Sequence, residues 1–287
     1  MSPTERGVVA VLGVGLVDLD TPVIRVDDAG VTRGDGCFEG ARLHDGVIAK
    51  LDAHLARMGR SAAALEIPFD PSAWRALVDE AVAAWPEPGE AAVKLLLTRG
   101  PVGGRPTGFV AIGPLPVDYP RLRRDGLRVI TLSRGTTSDA FADSPWLLGG
   151  VKSLSYAVNM AAQREAIRRG AHDVILVSAD GAVLEAPTSS VVWWDGQTLH
   201  TIPTGPTGIL AGTTQHLLFE RASAAGWRTA YTPARVADLH SAEVVWLVAS
   251  VRGPVDVVEL DGKARARMPE IDDAVRRLAG FPVAGCE

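Results

Sequence analysis

Cysteine and histidine are both scarce in this chain of 287 residues, which has two cysteines and six histidines. The cysteines, Cys37 and Cys286, are too far apart to form a CxxC zinc motif, and two cysteines cannot make a disulfide framework. The histidines form no HxxxH pair. We therefore expect neither a disulfide-stapled domain nor a metal site.

Long apolar runs and stripes of positive charge are also missing. No run is long enough to span a bilayer. The apolar stretch 7–16 leads to Asp18 and Asp20 without a small-residue cleavage site, so it is interpreted as a first strand rather than a signal peptide. The net charge is −5, and the densest basic cluster, 121–124, is short. We expect a cytoplasmic protein that acts on a small molecule, with neither nucleic acid nor a membrane as partner.

Lysine is rare, because only four of the 29 basic residues are lysines: Lys50, Lys94, Lys152 and Lys263. Three of them have positions typical of structural residues, namely the end of a hairpin strand, an outward strand position and an Asp-Gly turn. Lys152 instead follows the apolar stretch 146–151. Apolar surroundings favour the neutral, nucleophilic form of an amine. The alternative is a surface lysine at a helix start.

The hydrophobic pattern predicts both strands and helices. Strands are predicted at 37–44, 47–50, 91–98, 108–113, 127–132, 173–178, 189–194, 198–202, 243–249 and 254–260. Helices are predicted from about Asp52, from about Pro71, over 153–169 and from near Gly212. The many hairpins favour an α+β fold with mixed and antiparallel sheets over a doubly wound parallel sheet.

Three prolines at 114, 116 and 120 indicate a domain boundary. We predict a small N-terminal α+β domain, 1–118, and a larger C-terminal α+β domain, 119–287, that contains Lys152. No GxGxxG motif opens a helix after a strand, and Gly34-Asp35-Gly36 is not such a fingerprint, which argues against a nicotinamide cofactor.

Three further features are candidates for binding chemistry. Glu185 ends a strand-like apolar run, so its carboxylate needs a cationic partner, either a pyridinium nitrogen or an arginine. The segment 208–214 precedes a helix, whose first N–H groups and threonine hydroxyls could bind an anion or simply cap the helix. Arg57 lies beside His54 on the first helix, where it could bind phosphate or be exposed to solvent.

The order of these motifs resembles the class IV aminotransferase family, the fold-type IV enzymes that use pyridoxal 5′-phosphate (PLP). The motifs that carry the resemblance are Gly34-Asp35-Gly36-Cys37-Phe38-Glu39, His54-Leu55-Ala56-Arg57, Lys152-Ser153-Leu154, Leu184-Glu185 and Ile209-Leu210-Ala211-Gly212-Thr213-Thr214. The resemblance runs from about Val8 to Asp261. It implies the two-domain fold of D-amino acid and branched-chain aminotransferases, with a cofactor cleft between the domains.

The resemblance also implies a role for each candidate. Lys152 would hold PLP as a Schiff base and move the proton, and Glu185 would keep the pyridine nitrogen protonated. The residues implied around the phosphate and the ring are Arg57, Thr213, Thr214, Ser250, Leu210 and Tyr156. The chain departs from the family at Ser190, where asparagine is frequent, and at Gln215, where arginine is frequent.

Within the family, the motifs are most similar to those of 4-amino-4-deoxychorismate lyases, which make 4-aminobenzoate and pyruvate for folate synthesis. The substrate of such a lyase carries two carboxylates, and Arg99 and Arg105 on a glycine-rich loop are candidates to bind them, unless they are solvated loop residues.

Two other activities stay open at this point. The run Phe38-Glu39-Gly40-Ala41-Arg42 also resembles branched-chain aminotransferases, so an aminotransferase for D- or branched-chain amino acids, with or without lyase activity, is the second hypothesis. A non-enzymatic binding protein is the third. The resemblance further implies a homodimer. The loop that closes over the substrate is expected at 133–145.

Overall fold

The computed structural model describes residues 7–282, so Cys286 lies outside the described residues. The chain divides into two compact units. Unit 1 runs to Val117 and also includes Val151–Tyr156, whereas unit 2 consists of Asp118–Gly150 and the chain from Ala157 onwards. The chain therefore enters unit 1 twice, and the second entry is the short segment that carries Lys152.

Unit 1 is one antiparallel sheet with two long helices packed on it. Its strands are β1 (Val8–Val11), β2 (Gly15–Val17), β3 (Gly36–His44), β4 (Val47–Ile48), β5 (Glu90–Thr98) and β6 (Thr107–Pro114), in the order β2-β1-β6-β5-β3-β4. Its helices are α1 (Ala29–Arg33), α2 (Leu51–Ala64) and α3 (Pro71–Ala84). The predicted first strand is in fact a hairpin, because Gly13 and Gly15 both have positive φ and turn the chain.

The core of unit 1 lies between the sheet and helices α2 and α3. Trp74 and Met58 from the two helices are fully buried against Leu95 and Leu97 of β5. The apolar residues of β5 alternate with polar or less buried ones, as expected for a strand with one face in a core. Helix α3 begins at Pro71, and Asp70 caps it by accepting the N–H of Ser72 at 2.9 Å.

The segment around Lys152 is extended and pairs with β3, which corrects two predictions. Phe38 donates its N–H to the carbonyl of Lys152 at 3.0 Å, and Leu154 donates its N–H to the carbonyl of Gly36 at 2.8 Å. These bonds place Lys152 in unit 1, not in the C-terminal domain. The helix predicted over 153–169 begins only at Ala157, because residues 152–154 are extended and pair with β3.

Unit 2 is a mixed sheet covered by helices. Its strands are β7 (Leu127–Ser133), β8 (Asp173–Val177), β9 (Ser190–Trp194), β10 (Thr198–Thr201), β11 (Arg228–Tyr231), β12 (Val244–Ala249), β13 (Gly253–Leu260) and β14 (Lys263–Ala264). The order is β11-β10-β9-β12-β13-β7-β8, and β14 pairs with β13. The pairs β7–β8, β7–β13 and β10–β11 are parallel, and the others are antiparallel.

The helices of unit 2 are α4 (Tyr119–Asp125), α5 (Ala157–Arg168), α6 (Thr213–Ala224), α7 (Val236–Ser241) and α8 (Pro269–Leu278), with a 3₁₀ helix at Pro145–Leu147. Two apolar clusters, which include Leu184 and Trp246, fill the unit. Helices α1, α4, α7 and α8 are not among the predicted helices, and α1, α4 and α7 are too short to show a long apolar periodicity. Both units are α+β with the expected antiparallel and mixed sheets, so the predicted fold class is confirmed. No helix within residues 7–282 is both long and apolar enough to cross a membrane.

Candidate active site

The amine of Lys152 is held in a small aromatic environment in unit 1. The residue is only 9% exposed. Its Nζ lies 3.3 Å from the hydroxyl oxygen of Tyr156 and 4.3 Å from the centroid of the Phe38 ring. The two rings meet edge to face, with centroids 5.0 Å apart. The backbone on either side is fixed, because Lys152 donates its N–H to Ser61 and its carbonyl accepts from Phe38. Lys152 is therefore not a surface lysine at a helix start.

A glycine explains why the Lys152 segment can lie so close to β3. A Cβ on Gly36 would be 2.5 Å from the carbonyl oxygen of Leu97 and 2.7 Å from the side chain of Leu154. Only a residue without a side chain allows β5 and the Lys152 segment to approach β3 at this point. The Gly-Asp-Gly motif is thus a packing feature of the strand that supports Lys152.

Arg57 belongs to a buried charge cluster on the α2 face of unit 1. Its Nε and Nη2 donate to the two carboxylate oxygens of Glu39, each at 2.7 Å. His54 Nδ1 is 2.8 Å from Glu39 Oε2. Burial opposes ionisation of Glu39, but the hydrogen bonds from Arg57 and His54 outweigh it and lower the pKa of Glu39 to about 2. Arg57 is therefore a buried, oriented cation, and its role at the phosphate stays a prediction.

Glu185 lies in unit 2 with a cationic and a backbone partner. Leu210 donates its N–H to Oε2 at 3.0 Å, and Arg134 Nη1 lies 3.3 Å from Oε1. The sequence left open whether the partner of this carboxylate is an arginine, and the structure provides Arg134. The guanidinium of Arg134 also lies over the ring of Phe141, 5.5 Å from its centroid. Leu210 contacts Glu185 through its backbone N–H. The expected contact of the Leu210 side chain with the PLP ring stays a prediction.

Three hydroxyl groups of unit 2 converge at the start of α6. The Oγ of Ser250 lies 3.0 Å from Oγ1 of Thr213 and 2.7 Å from Oγ1 of Thr214. Both threonines are buried in the first turn of α6, whose N-cap is Gly212. A Cβ on Gly212 would be 2.4 Å from Ser190 Oγ, so a larger N-cap residue would require the Ser190 side chain to move. Helix N–H groups and hydroxyls at one place can bind an anion.

The two arginines expected to bind substrate lie on the loop between β5 and β6. Arg99 forms a two-bond contact with Asp35, at 2.5 and 3.3 Å, and also donates to the carbonyls of Leu65 and Glu66. These contacts give Arg99 a role in joining the loop to α2 and α1. Arg105 is exposed. Substrate binding by either arginine stays a prediction.

Three residues at these sites were missed by sequence reasoning as participants. Phe38 and Glu39 had been used only as a family marker. A carboxylate between apolar strand residues needs a cationic partner, and this signal could have indicated that Glu39 has one, though not that it is Arg57. Arg134 follows a strand with no special pattern around it, so nothing in the sequence indicated its contact with Glu185.

The residues present fit PLP. An amine suits its aldehyde, a carboxylate with a backbone donor suits a protonated pyridine nitrogen, and clustered hydroxyls at a helix N-terminus suit its phosphate. The amine belongs to unit 1, and the acid and the hydroxyls belong to unit 2.

Comparison with known proteins gives the same family. The profile of the family Amino-transferase class IV matches residues 36–260. A bifunctional aminodeoxychorismate lyase / D-amino acid transaminase from Mycobacterium tuberculosis is 42% identical over 258 residues, which cover 86% of this chain and 89% of that protein.

Solved structures are similar over almost the whole chain. A hypothetical aminotransferase from Mycobacterium tuberculosis in its PLP-bound form has a TM-score of 0.92 at 40% identity, covering 96% of this chain and 98% of that one. The same protein has also been solved with α-ketoglutarate and PMP, with a TM-score of 0.91 at 41% identity and coverage of 95% and 97%. A fold IV-transaminase from Curtobacterium pusillum has a TM-score of 0.90 at 40% identity, covering 96% and 100%.

The profile covers more than half of the chain, and the relatives above 30% identity cover most of it. The fold and the order of the motifs agree with this match. The chain belongs to the class IV aminotransferase family and has the fold-type IV architecture.

Proposed function

We propose that this protein is a PLP-dependent 4-amino-4-deoxychorismate lyase that gives 4-aminobenzoate and pyruvate for folate biosynthesis. At the coarser level it is a class IV PLP enzyme, an aminotransferase or a lyase, and the predicted cofactor is confirmed by the family and by PLP-bound relatives. The observation that carries the PLP chemistry is the placement of Lys152, a buried amine in contact with the Phe38 ring and the Tyr156 hydroxyl. The lyase activity is supported by the relative at 42% identity that is named for it.

The residues proposed to hold the cofactor are those predicted from the sequence. Lys152 of unit 1 binds the aldehyde carbon. In unit 2, Glu185 holds the pyridine nitrogen and Leu210 lies against the ring, while Thr213, Thr214 and Ser250 bind the phosphate. Arg57 of unit 1 is the proposed cationic group for that phosphate, with Glu39 holding its guanidinium in one orientation.

When bound, PLP joins the substrate amine and withdraws an electron pair from the carbon that carries the nitrogen. Lys152 Nζ is the base that removes the proton from that carbon, and the Tyr156 hydroxyl at 3.3 Å orients the amine for this transfer. Glu185, whose Oε1 lies 3.3 Å from Arg134 Nη1, would keep positive charge on the pyridine nitrogen. Loss of the enolpyruvyl group, which takes up a proton to become pyruvate, would then make the substrate's ring aromatic, so the elimination needs no second substrate.

Aminotransfer to a keto acid is the second candidate activity, on D-amino or branched-chain amino acids. The relative at 42% identity is named for both reactions, and another similar protein has been solved with α-ketoglutarate. Both reactions begin when Lys152 removes the same kind of proton, and they differ in whether the proton returns to the cofactor. Arg99 and Arg105 are the proposed carboxylate-binding groups in either case.

The Lys152 assignment is tested by borohydride trapping. Wild-type protein supplied with PLP should be yellow, and reduction should attach one cofactor to the peptide that contains Lys152. Lys152→Ala should abolish the adduct, because the other three lysines, Lys50, Lys94 and Lys263, are exposed. Lys94→Ala is the matched control, since Lys94 is exposed on β5 and its loss should leave the adduct intact. A colourless wild type, or an adduct that survives Lys152→Ala, would refute the assignment.

The lyase and the aminotransferase activities can be distinguished by whether turnover requires a keto acid as amino-group acceptor. The proposed lyase should release pyruvate from 4-amino-4-deoxychorismate in the absence of any keto acid, as followed with lactate dehydrogenase and NADH. Turnover of D-alanine or leucine only when α-ketoglutarate is added would instead favour the aminotransferase. Activity in both assays would establish a dual function, and strict dependence on a keto acid would refute the lyase proposal.

A further inference from the structure

The turn that contains Ser250 in unit 2 also contains a buried arginine, Arg252. Residues 250–252 connect β12 to β13, and the turn closes with Ala249 paired to Gly253. Gly253 has φ +84°, and a Cβ there would lie 2.6 Å from the ring of Phe281. The turn therefore has one tight backbone geometry, and Ser250 Oγ is directed to the threonine hydroxyls of α6.

Arg252, the last residue of this turn, has its side chain inside unit 2. Only 7% of the side chain is exposed. Its Nη2 donates to Asp173 Oδ2 at 3.0 Å and to Ser189 Oγ at 3.1 Å. Asp173 is fully buried, so the pair is shielded from solvent and its geometry is fixed by hydrogen bonds on both sides.

The two anchors of Arg252 belong to the part of the sheet that carries Glu185. Asp173 begins β8, and Leu176 of that strand donates its N–H to the carbonyl of Glu185 at 2.8 Å. Ser189 closes the short turn after Glu185 by accepting the N–H of Ala186 at 2.9 Å. One guanidinium thus joins the segment that carries the acid to the turn that carries the hydroxyl.

A second arginine holds the backbone of the same turn. Arg123 of α4 donates from Nε to the carbonyl of Arg252 at 2.6 Å and from Nη2 to the carbonyl of Val251 at 2.9 Å. The turn is therefore supported through its carbonyls and, separately, through the Arg252 side chain.

We propose that Arg252 is a positioning residue for the phosphate site, acting through Ser250. The inference rests on the proposed function, in which Ser250, Thr213 and Thr214 bind the PLP phosphate. Hydroxyls select a phosphate only when their positions are fixed before binding, since small displacements weaken every hydrogen bond to the oxygens. The Arg252 bridge to Asp173 and Ser189 fixes the hydroxyl of Ser250 relative to the strand of Glu185.

The test compares two forms of the cofactor on full-length protein freed of PLP. PLP and pyridoxal both offer the aldehyde to Lys152, but only PLP has a phosphate. Arg252→Met should weaken PLP binding about tenfold, equivalent to about 1.4 kcal/mol, and should change pyridoxal binding much less. Arg252→Lys should restore part of the PLP affinity, because an ammonium can still pair with Asp173. The dissociation constants come from absorbance titrations.

Two further variants keep the test decisive. Ser189→Ala removes one hydroxyl and leaves the Arg252–Asp173 pair, so it should fold even if Arg252→Met does not, and it should weaken PLP binding by a smaller factor without affecting pyridoxal. Arg267→Met is the matched control, because Arg267 contacts the buried Asp256 and the carbonyl of Arg124. It should lower thermal stability and leave the preference for PLP over pyridoxal unchanged.

The variant Thr214→Val, measured in parallel, distinguishes a wrong phosphate site from a wrong role for Arg252. If Thr214→Val leaves PLP affinity unchanged, the proposed phosphate site is wrong. If Thr214→Val weakens PLP binding but Arg252→Met and Ser189→Ala do not, the phosphate site stands and the role of Arg252 is refuted. Equal weakening of PLP and pyridoxal by Arg252→Met would also refute that role, because it would indicate general destabilisation.

Discussion

At the scale of single residues, Glu39 is the group whose ionisation contributes most clearly to pH dependence. Burial raises the pKa of Glu39, but the hydrogen bonds from Arg57 and His54 lower it by more than burial raises it. The pKa therefore falls from 4.5 to about 2. A carboxyl with a lowered pKa stabilises the folded state above its unfolded pKa, and this contribution is lost as the pH falls through the folded value. We therefore expect the free energy of unfolding to fall as the pH is lowered from about 4.5 towards about 2.

Replacing Glu39 tests this prediction. Glu39→Gln should lower the free energy of unfolding at pH 7 by about 3 kcal/mol, since Arg57 is left buried without its anion. It should also flatten the acid part of the pH profile in urea unfolding experiments. Glu165→Gln is the control, because Glu165 also has a lowered pKa beside Arg169 and Arg168 but lies at the surface, where ion pairs contribute little. An unchanged profile in Glu39→Gln would show that another carboxyl controls acid unfolding.

At the scale of elements, the position of Lys152 depends on β3 accepting a short extended segment beside it. The close approach at Gly36 is what allows this, because a methyl group there would meet the carbonyl oxygen of Leu97 at 2.5 Å. Gly36→Ala should therefore displace either β5 or the Lys152 segment. We expect a loss of more than about 1 kcal/mol in the free energy of unfolding and slower trapping of PLP at Lys152.

Gly59→Ala provides the comparison on α2. There the new methyl group would approach only the ring of Phe69, at 3.2 Å, and alanine is the better helix former by about 1 kcal/mol. We expect little loss of stability and normal PLP trapping in this variant, measured by thermal unfolding and borohydride reduction. If Gly36→Ala behaves like Gly59→Ala, the approach of the segment to β3 does not depend on that glycine.

At the scale of the whole molecule, we expect a homodimer. Two loops of unit 1 lie side by side, since Ala29 donates its N–H to Gly100 and Asp28 pairs with Pro101. Both expose valines, with Val26 91% and Val102 97% accessible. We propose that these exposed valines on neighbouring loops form part of the contact surface of the dimer. Light scattering should give twice the mass of one chain, and Val102→Lys should shift the protein towards the monomer.

Val47→Lys is the control for this prediction, because Val47 is exposed on β4, at the edge of the same sheet. It should leave the mass unchanged. A wild-type protein with the mass of a single chain would contradict the expected dimer, and a Val102→Lys variant that keeps the full dimer would exclude this loop from the interface.

The sequence alone determined the family, the cofactor, the fold class and most strands, because these depend on local periodicity and on ordered motifs such as Gly34-Asp35-Gly36 and Lys152-Ser153-Leu154. The start of helix α3 at Pro71 is predicted for the same local reason, whereas its Asp70 cap is seen only in the structure. Only the tertiary structure decided which residues meet: that Lys152 pairs with β3 instead of starting a helix, that Glu39 holds Arg57, and that Arg252 joins Asp173 to the turn of Ser250. These contacts connect residues distant in the chain, and a buried charge finds its partner through packing that no local pattern records.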